Sequence, residues 1–539
     1  MKNRGSMSLY LMLAAALFMT ACTANSPSTD TSAHDPGERL EESPSNAPVI
    51  EFPLAEKLTL RFFALKAVAN KVTDYNQYEL FQQLEEETNV HIEWSIADET
   101  ARLERLNLMV ASGDYPDAVY GSSITGSMLS TWAKQGIAIP LNDLITAYAP
   151  NIQKAFAENP AYKEAITHAD GNIYSLPTIQ DRPFQQAPDT MWINKNWLDQ
   201  VGLDVPETTE ELYAALQAFK GKDLNGNGKD DEIPMSFMYR THWKGGNSLA
   251  MSFGIMDPAY DHTYINDGQI YFAPQQDQYR DYVDYIGKLY AEDLIDQEMF
   301  TQTNPIYEAK LRGETAVLGV LSYPINSYVT DGDQYVPLLG LKGPNGDWGW
   351  TKQTPGINVG GFVITSSNRH PEITMKWIDS HFDFEKSLEL LKGPLGQGLI
   401  RLDNGKYEAV APPQGMSEND FAWTMAPGFQ SPKIIPASNY ADGTFISPRE
   451  AEELAAYQLK EPLLKFEPLN NILVYEEEDY EALEHVDTDL NNPNGYIDTI
   501  FAEFVMNGTT DEKWAKHLDQ LEKLGIRTYL EVHGKYQVK

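Results

Sequence analysis

Cysteine is almost absent from this sequence. Its 539 residues contain one cysteine, Cys22, so no disulfide can form within the chain. Basic residues are also few, since 41 Lys and Arg stand against 78 Asp and Glu and give a formal net charge of −37. No Lys-rich or Arg-rich run interrupts this acidic background. Because such a surface would repel a polyanion, the composition argues against nucleic acid as a partner.

Long hydrophobic runs are equally scarce. Residues 9–19 form a short apolar stretch after a basic start, too short to span a bilayer stably but suited to the core of a signal peptide. The stretch ends in Met19-Thr20-Ala21-Cys22, which resembles a bacterial lipobox with methionine in place of the usual leucine. We therefore expect residues 1–22 to be a lipoprotein signal peptide and Cys22 to carry the acyl chains of a membrane anchor. The alternative is an accidental or buried cysteine.

Familiar catalytic motifs are missing as well. The sequence has no Gly-x-Ser-x-Gly elbow, no His-Glu-x-x-His helix and no P-loop. An acylated Cys22 could not act as a nucleophile. The 78 acidic residues offer many pairs that could be named as an acid and a base, so their number does not identify a hydrolase. We therefore expect a protein without enzymatic activity.

What the sequence does contain is a regular alternation of strands and helices. Residues 23–53, rich in Ser, Thr, Pro, Asp and Glu, predict a disordered tether. Apolar spacing then predicts strand, helix, strand, helix and strand at 57–63, 78–88, 89–96, 102–112 and 117–120. This order is typical of an α/β layer with a largely parallel sheet. Further strands are predicted at 316–321 and 361–365, and further helices at 208–219, 279–290 and 371–382. The chain is too long for one core and requires at least two domains.

The most specific chemical motif is an acidic loop at residues 223–232. Oxygen-bearing side chains occupy its first, third and fifth positions, a glycine follows at the sixth, and two carboxylates come at the ninth and tenth. This spacing suits a Ca²⁺ ion, which takes six or seven oxygen ligands. The expected ligands, with a main-chain carbonyl from the lysine, are Asp223, Asn225, Asn227, Lys229, Asp231 and Glu232.

Two features qualify this interpretation of the loop. The twelfth position is Pro234 and not the glutamate of an EF-hand, so Glu232 would have to be the late ligand. The alternative is a plain turn, because Asn, Gly and Asp favour turns without any metal. The position directly after a predicted helix indicates a structural calcium site and not a catalytic one.

Several segments share a pattern with one protein family. They are VASGDYPDAVY at 110–120, GNIYSLP at 171–177, the block from WINKNWL to DEIP at 192–234, GGFVIT with HPE at 360–372, and FVMNG with LEKLG at 504–525. Together they resemble the family 1 extracellular solute-binding proteins of ABC importers, most nearly the long lipoproteins of Paenibacillus-like Gram-positive bacteria. The segments occur in the family's order over nearly the whole mature chain.

The resemblance implies an α/β, two-lobed periplasmic-binding-protein-like fold of type II, with a ligand cleft between discontinuous lobes joined by hinge strands. The first lobe is then expected at 54–180 and 358–405, and the second at 181–357 and 406–539, its last part mostly helical. The resemblance also implies calcium at the 223–232 loop, as in related alginate-binding proteins. The implied partners are an oligosaccharide and the permease subunits of an ABC transporter, with a monomer on the outer face of the cytoplasmic membrane.

Ligand-binding residues are expected on loops that follow strands. Sugars present flat C–H faces to aromatic rings and hydroxyl edges to polar side chains, and each stacked ring contributes about 1–2 kcal/mol. The candidates are Ser122, Asp181, Arg182, Arg240, Trp243, Tyr323, Trp348, Trp350 and Trp423. For each aromatic ring, ordinary core packing is the alternative.

Two other functions are left open by the sequence. One is a surface lipoprotein with glycoside hydrolase activity, and the other is a peptide-binding or sensory lipoprotein on the same fold.

Overall fold

The computed structural model describes residues 48–537 except 68–69, 99–100, 122–123, 240, 242, 355, 415, 470–474 and 493–494. The strands are β1 Leu58–Lys66, β2 Val90–Asp98, β3 Ala118–Tyr120, β4 Leu176–Gln180, β5 Met191–Asn194, β6 Ile233–Ser236, β7 Thr263–Asn266, β8 Gln269–Phe272, β9 Leu318–Ser322, β10 Tyr335–Pro337, β11 Ile357–Ile364, β12 Leu399–Arg401, β13 Tyr407–Ala409, β14 Ile434–Ile435 and β15 Glu467–Pro468. The helices are α1 Glu79–Thr88, α2 Arg102–Ser112, α3 Gly126–Lys134, α4 Asn142–Tyr148, α5 Pro150–Glu158, α6 Pro160–Glu164, α7 Lys195–Val201, α8 Thr209–Phe219, α9 Asp277–Ala291, α10 Asn304–Leu311, α11 Pro371–Asp379, α12 Phe384–Lys392, α13 Glu418–Ala422, α14 Ala437–Asp442, α15 Pro448–Lys460, α16 Glu477–Leu490, α17 Tyr496–Asn507, α18 Asp511–Lys523 and α19 Ile526–Gln537.

A six-stranded sheet forms the centre of the first lobe. Its strand order is β14-β4-β11-β3-β1-β2, with β1 parallel to β2 and β3, and with β11 antiparallel to β3 and β4. Successive residues of β1 point to opposite faces. Phe62 packs into one buried cluster and Phe63 into another, so helices cover both faces of the sheet. The predicted strand–helix alternation at 57–120 is confirmed.

A four-stranded sheet forms the centre of the second lobe. Its order is β10-β5-β9-β6, with β6 parallel to β9 and β5 antiparallel to it. Before β6 lies α8, which begins with a capping box: the Thr208 hydroxyl accepts from the Glu211 N–H while the Glu211 carboxylate accepts from the Thr208 N–H. A separate three-stranded sheet, β15-β7-β8, belongs to the same half of the fold. Its Tyr264 joins the core cluster of this lobe, with Phe501 and Phe504 of α17.

The chain passes between the two sheets more than once. It leaves the first sheet after β4, returns at β11, and leaves again after β14, since Ile434 and Ile435 pair in parallel with Ile179 and Gln180 of β4. Residues 434–435 lie within the 406–539 range that we expected in the second lobe. Because these two residues pair with β4 of the first sheet, the chain crosses to the second lobe once more after Ile435.

Candidate functional site

The carboxyl ends of β1 and β3 meet one loop at the edge of the first sheet. Gly121 directly follows β3 at φ +91°. A Cβ built there would lie 3.1 Å from the Gln430 carbonyl oxygen and 3.4 Å from that of Leu65. This close approach requires glycine and brings the 428–431 segment to this edge. The candidate Ser122 comes next in the chain and lies outside the described residues.

That loop carries an aromatic pair. The ring centroids of Trp423 and Phe429 are 5.9 Å apart, and Phe429 is 40% exposed. The Tyr78 hydroxyl donates to the Trp423 carbonyl at 3.0 Å, so the pair is tied to the helical layer of the first lobe. Trp423 was predicted as a ligand residue and Phe429 was not, although both belong to one "FAWTMAPGF" segment.

A buried lysine fixes the same loop. The Lys433 ammonium donates to the carbonyls of Gly428, Phe429 and Ser431 at 3.1, 2.8 and 2.9 Å. Burial lowers the pKa of Lys433 well below its usual range. Because one side chain satisfies three turn carbonyls, it stabilises the turn that carries Phe429.

On the second sheet, aromatic rings follow the carboxyl ends of β6 and β9. Tyr323 comes directly after β9 and stacks on Tyr328, with centroids 4.8 Å apart and planes 5° apart. Tyr323 is 6% exposed and Tyr328 is 37% exposed. Trp243, after β6, is 37% exposed. The candidate Arg240 lies outside the described residues.

Asp181 and Arg182 lie where the chain leaves β4. The Asp181 carboxylate accepts from the Tyr162 hydroxyl at 2.9 Å, and burial raises the pKa of Asp181. Arg182 Nε lies 3.2 Å from the Tyr440 hydroxyl and 3.3 Å from Glu450 Oε1. Both side chains are therefore engaged with other parts of the protein at the crossing.

The other two predicted tryptophans pack on the 463–465 segment. Trp350 is 2% exposed, belongs to the core of the second lobe, and donates its main-chain N–H to the Leu463 carbonyl at 2.9 Å. This burial leaves almost no ring surface for a ligand. Trp348 is half-buried, with the Lys465 ammonium 4.0 Å from its ring centroid.

Helix α15 contributes residues that sequence reasoning missed. Its Glu450 and Glu453 side chains are each 7% exposed and pair with Arg182 and Arg449. Acidic and basic residues at this spacing usually mark a solvated helix face. The capping box of Ser447 and Glu450, with Pro448 at the first helical position, could have located the start of this helix, but neither signal indicates burial.

The acidic loop 223–232 folds around its own carboxylates. The Asn225 and Asn227 amides both donate to the Asp231 carboxylate at 3.1 Å, and Gly228 N–H donates to Asp223 Oδ2 at 2.9 Å. Glu232 Oε1 accepts two main-chain N–H groups, while its Oε2 is buried without a hydrogen-bond partner among the described residues.

This oxygen set fits a hard cation. An orphaned buried carboxylate oxygen is costly unless something compensates it, and the carboxylates of Asp223 and Asp231 belong to the same short loop. Within the described part of the chain, no cluster of three or more His, Cys, Asp or Glu side chains is arranged to hold a metal. Three of the six expected ligands are two asparagine side chains and a main-chain carbonyl, which such a cluster does not include.

The loop and the aromatic residues lie at opposite ends of the second sheet. The loop immediately precedes β6, and Asn227 donates to Thr315, which precedes β9, at 3.3 Å. Trp243 and Tyr323 follow these same parallel strands. A cation at the loop would therefore act on the structure and not on a ligand at the carboxyl edge.

No helix among the described residues is long and apolar enough to cross a bilayer.

Comparison with known proteins gives consistent matches. Residues 69–380 match the family described as bacterial extracellular solute-binding protein. The chain is 33% identical over 553 aligned residues to the fructooligosaccharide ABC transporter substrate-binding protein FusA of Streptococcus pneumoniae, covering 98% of this chain and 97% of that protein. The structure of FusA with kestose superposes with a TM-score of 0.75 at 32% identity over 88% of this chain and 98% of that one. A FusA EF-hand mutant with fructo-nystose gives the same TM-score at 31% identity and the same coverage.

Proposed function

Because the chain belongs to the bacterial extracellular solute-binding proteins, we propose that it captures a fructooligosaccharide and delivers it unchanged to an ABC importer. The observation that carries the proposal is the similarity to FusA over almost the full length of both chains. Permease subunits would be the partners, and the carrier would act as a monomer.

The proposed site is a cleft between the carboxyl edges of the two sheets. The first lobe would offer Trp423 and Phe429, and the second would offer Trp243 and the exposed part of Tyr328, which stacks on the nearly buried Tyr323. Rings on both sides can cover both faces of a short oligosaccharide, and hinge closure then removes the sugar from water. The lobes would be those expected at 54–180 with 358–405 and at 181–357 with 406–539, apart from β14, which pairs with the first sheet.

Titration calorimetry tests the proposed ligand. We expect kestose and nystose to bind with a dissociation constant on the order of micromolar, about −8 kcal/mol. Mass spectrometry should recover both sugars intact. Release of fructose would favour the hydrolase alternative, and binding of peptides in place of sugars would favour the peptide or sensory alternative. Galacturonate oligomers serve as the matched acidic sugars, and we expect them to bind more weakly to this strongly acidic protein.

Calcium would complete the 223–232 loop. Asp223, Asn225, Asn227, Asp231, Glu232 and the carbonyl of Lys229 would hold the ion, with the asparagine amides turned so that their oxygens face inward. The charge of the ion would compensate three carboxylates and tie the end of α8 to the start of β6. The EF-hand mutation named for a FusA structure supports such a site in a relative.

A lipid anchor at Cys22 would keep the carrier at the outer face of the cytoplasmic membrane. Cys22 and residues 23–47 of the expected tether lie outside the described residues. We expect Cys22→Ala to move most of the protein from the membrane fraction to the medium, because acylation needs the thiol. Cell fractionation and blotting measure this. Equal membrane association of the variant and the natural protein would contradict the anchor.

A further inference from the structure

The first two turns of α15 lie between the edges of the two sheets. Glu450 pairs with Arg182, which follows β4 of the first sheet, at 3.3 Å. Glu452, two residues on, hydrogen-bonds the Ser327 hydroxyl in the segment that follows β9 of the second sheet. One short piece of helix therefore touches both regions from which we expect ligand contacts.

Arg449 is the exposed cation of this piece of helix. Its Nε donates to Glu453 Oε1 at 2.8 Å, and the Glu453 side chain is 7% exposed while that of Arg449 is 51% exposed. Among the described residues, no hydrogen bond reaches the two terminal nitrogens of Arg449. The buried carboxylate thus holds Nε and leaves the two terminal nitrogens without a hydrogen-bond partner among the described residues.

Arg449 also lies near the Tyr323–Tyr328 stack, because it shares a helix face with Glu452, three residues on, whose carboxylate accepts a hydrogen bond from the Ser327 hydroxyl beside Tyr328. Burial raises the pKa of Tyr323 to about 12, and the positive charge of Arg449 counteracts part of that rise. The neighbouring Arg182 differs, since its side chain is only 20% exposed and its Nε is engaged by Glu450 and Tyr440. Arg312, at the outer end of the stack, already covers Tyr328, with its Cζ 3.3 Å from the ring centroid.

We propose that Arg449 contacts the bound oligosaccharide and donates hydrogen bonds from its two terminal nitrogens to neighbouring hydroxyl groups. Glu453 is the residue that positions the Arg449 guanidinium. This proposal rests on the proposed function. A planar guanidinium donates two parallel hydrogen bonds, which match a pair of adjacent hydroxyl oxygens on one sugar ring. Fixing the guanidinium in advance reduces the entropy lost on binding.

Titration of kestose into full-length variants tests the assignment. We expect Arg449→Ala to raise the dissociation constant at least about tenfold, because charge-assisted hydrogen bonds are lost. Arg449→Lys should recover only part of the affinity, since an ammonium keeps the charge but not the two parallel N–H donors of the planar guanidinium. Glu453→Gln should weaken binding less than Arg449→Ala, and should add little to it in the double variant.

The matched control is Arg527→Ala. Arg527 also pairs with one carboxylate, Glu522, at 3.0 Å, but both residues lie on the C-terminal helices α18 and α19. The Arg527→Ala variant should bind kestose as tightly as the natural protein does. Melting temperatures measured without sugar verify that each variant is folded. Kestose binding within twofold of the natural protein by both Arg449 variants would overturn the assignment and leave the proposed function intact. If the natural protein binds no oligosaccharide, the proposed function and this assignment fall together.

Discussion

Adding a calcium chelator to the purified protein is expected to lower its melting temperature by about 8–16 °C, and excess Ca²⁺ should restore it. A ligand present at about 1,000 times its dissociation constant stabilises the folded state by about 4 kcal/mol. For a large domain, each kcal/mol shifts the melting temperature by roughly 2–4 °C. The physical cause is the 223–232 loop, where Asp223, Asp231 and the orphaned Oε2 of Glu232 would repel one another without a cation. Scanning calorimetry measures the shift.

Variants make the calcium prediction specific to this loop. Glu232→Gln should lower the melting temperature in calcium and abolish most of the response to chelator. Asp403→Asn is the matched control, because Asp403-Asn404-Gly405 is a similar turn, between β12 and β13, with no carboxylate at the ninth or tenth position. Mg²⁺ should restore less stability than Ca²⁺, since it demands a stricter octahedral geometry. An unchanged melting temperature in chelator would contradict the calcium site.

Local patterns made much of the fold predictable. The strand predicted at 57–63 and the helix predicted at 208–219 follow from apolar spacing and from the pairing of Thr208 with Glu211, which lie three residues apart. The resemblance of short motifs to the family of solute-binding proteins is confirmed by the match over residues 69–380. The type II two-lobed fold is confirmed by the superposition with FusA. Such features depend on residues that lie within a few positions of one another in the sequence.

Features set by distant contacts were not predictable. Ile434 pairs with Ile179, more than 250 residues away, and nothing in the short apolar segment identifies that partner. Trp350 resembles a loop aromatic in sequence but is covered by the 463–465 segment. Glu453 and Arg449 have the spacing of an exposed pair, and only the fold buries the acid. Which loop aromatics contact the sugar therefore stays a prediction.

Breaking the buried pair of Arg182 and Glu450 is expected to destabilise the protein strongly. Arg182→Met leaves the Glu450 carboxylate, 7% exposed, without its cation at the place where the chain leaves β4. An uncompensated buried charge costs about 3–5 kcal/mol. Urea unfolding, followed by tryptophan fluorescence, measures the loss of unfolding free energy. We expect the urea concentration at the unfolding midpoint to fall, and the slope of the unfolding free energy against urea concentration to stay unchanged.

The double variant Arg182→Met with Glu450→Gln measures the coupling free energy between Arg182 and Glu450, apart from the contacts that each makes with other residues. Glutamine keeps the acceptor that Glu450 supplies to the Ser447 N–H at 3.0 Å, so the cap of α15 survives while both charges disappear. Because replacing a whole buried ion pair is far less costly than removing one partner, the double variant should recover most of the lost free energy. A loss equal to the sum of the two single changes would mean that the residues are not coupled. The adjacent pair behaves alike in stability: Arg449→Ala leaves the Glu453 carboxylate, 7% exposed, without its cation, and adding Glu453→Gln should recover most of that loss of free energy. The effect of Arg449→Ala on kestose affinity should persist in that double variant.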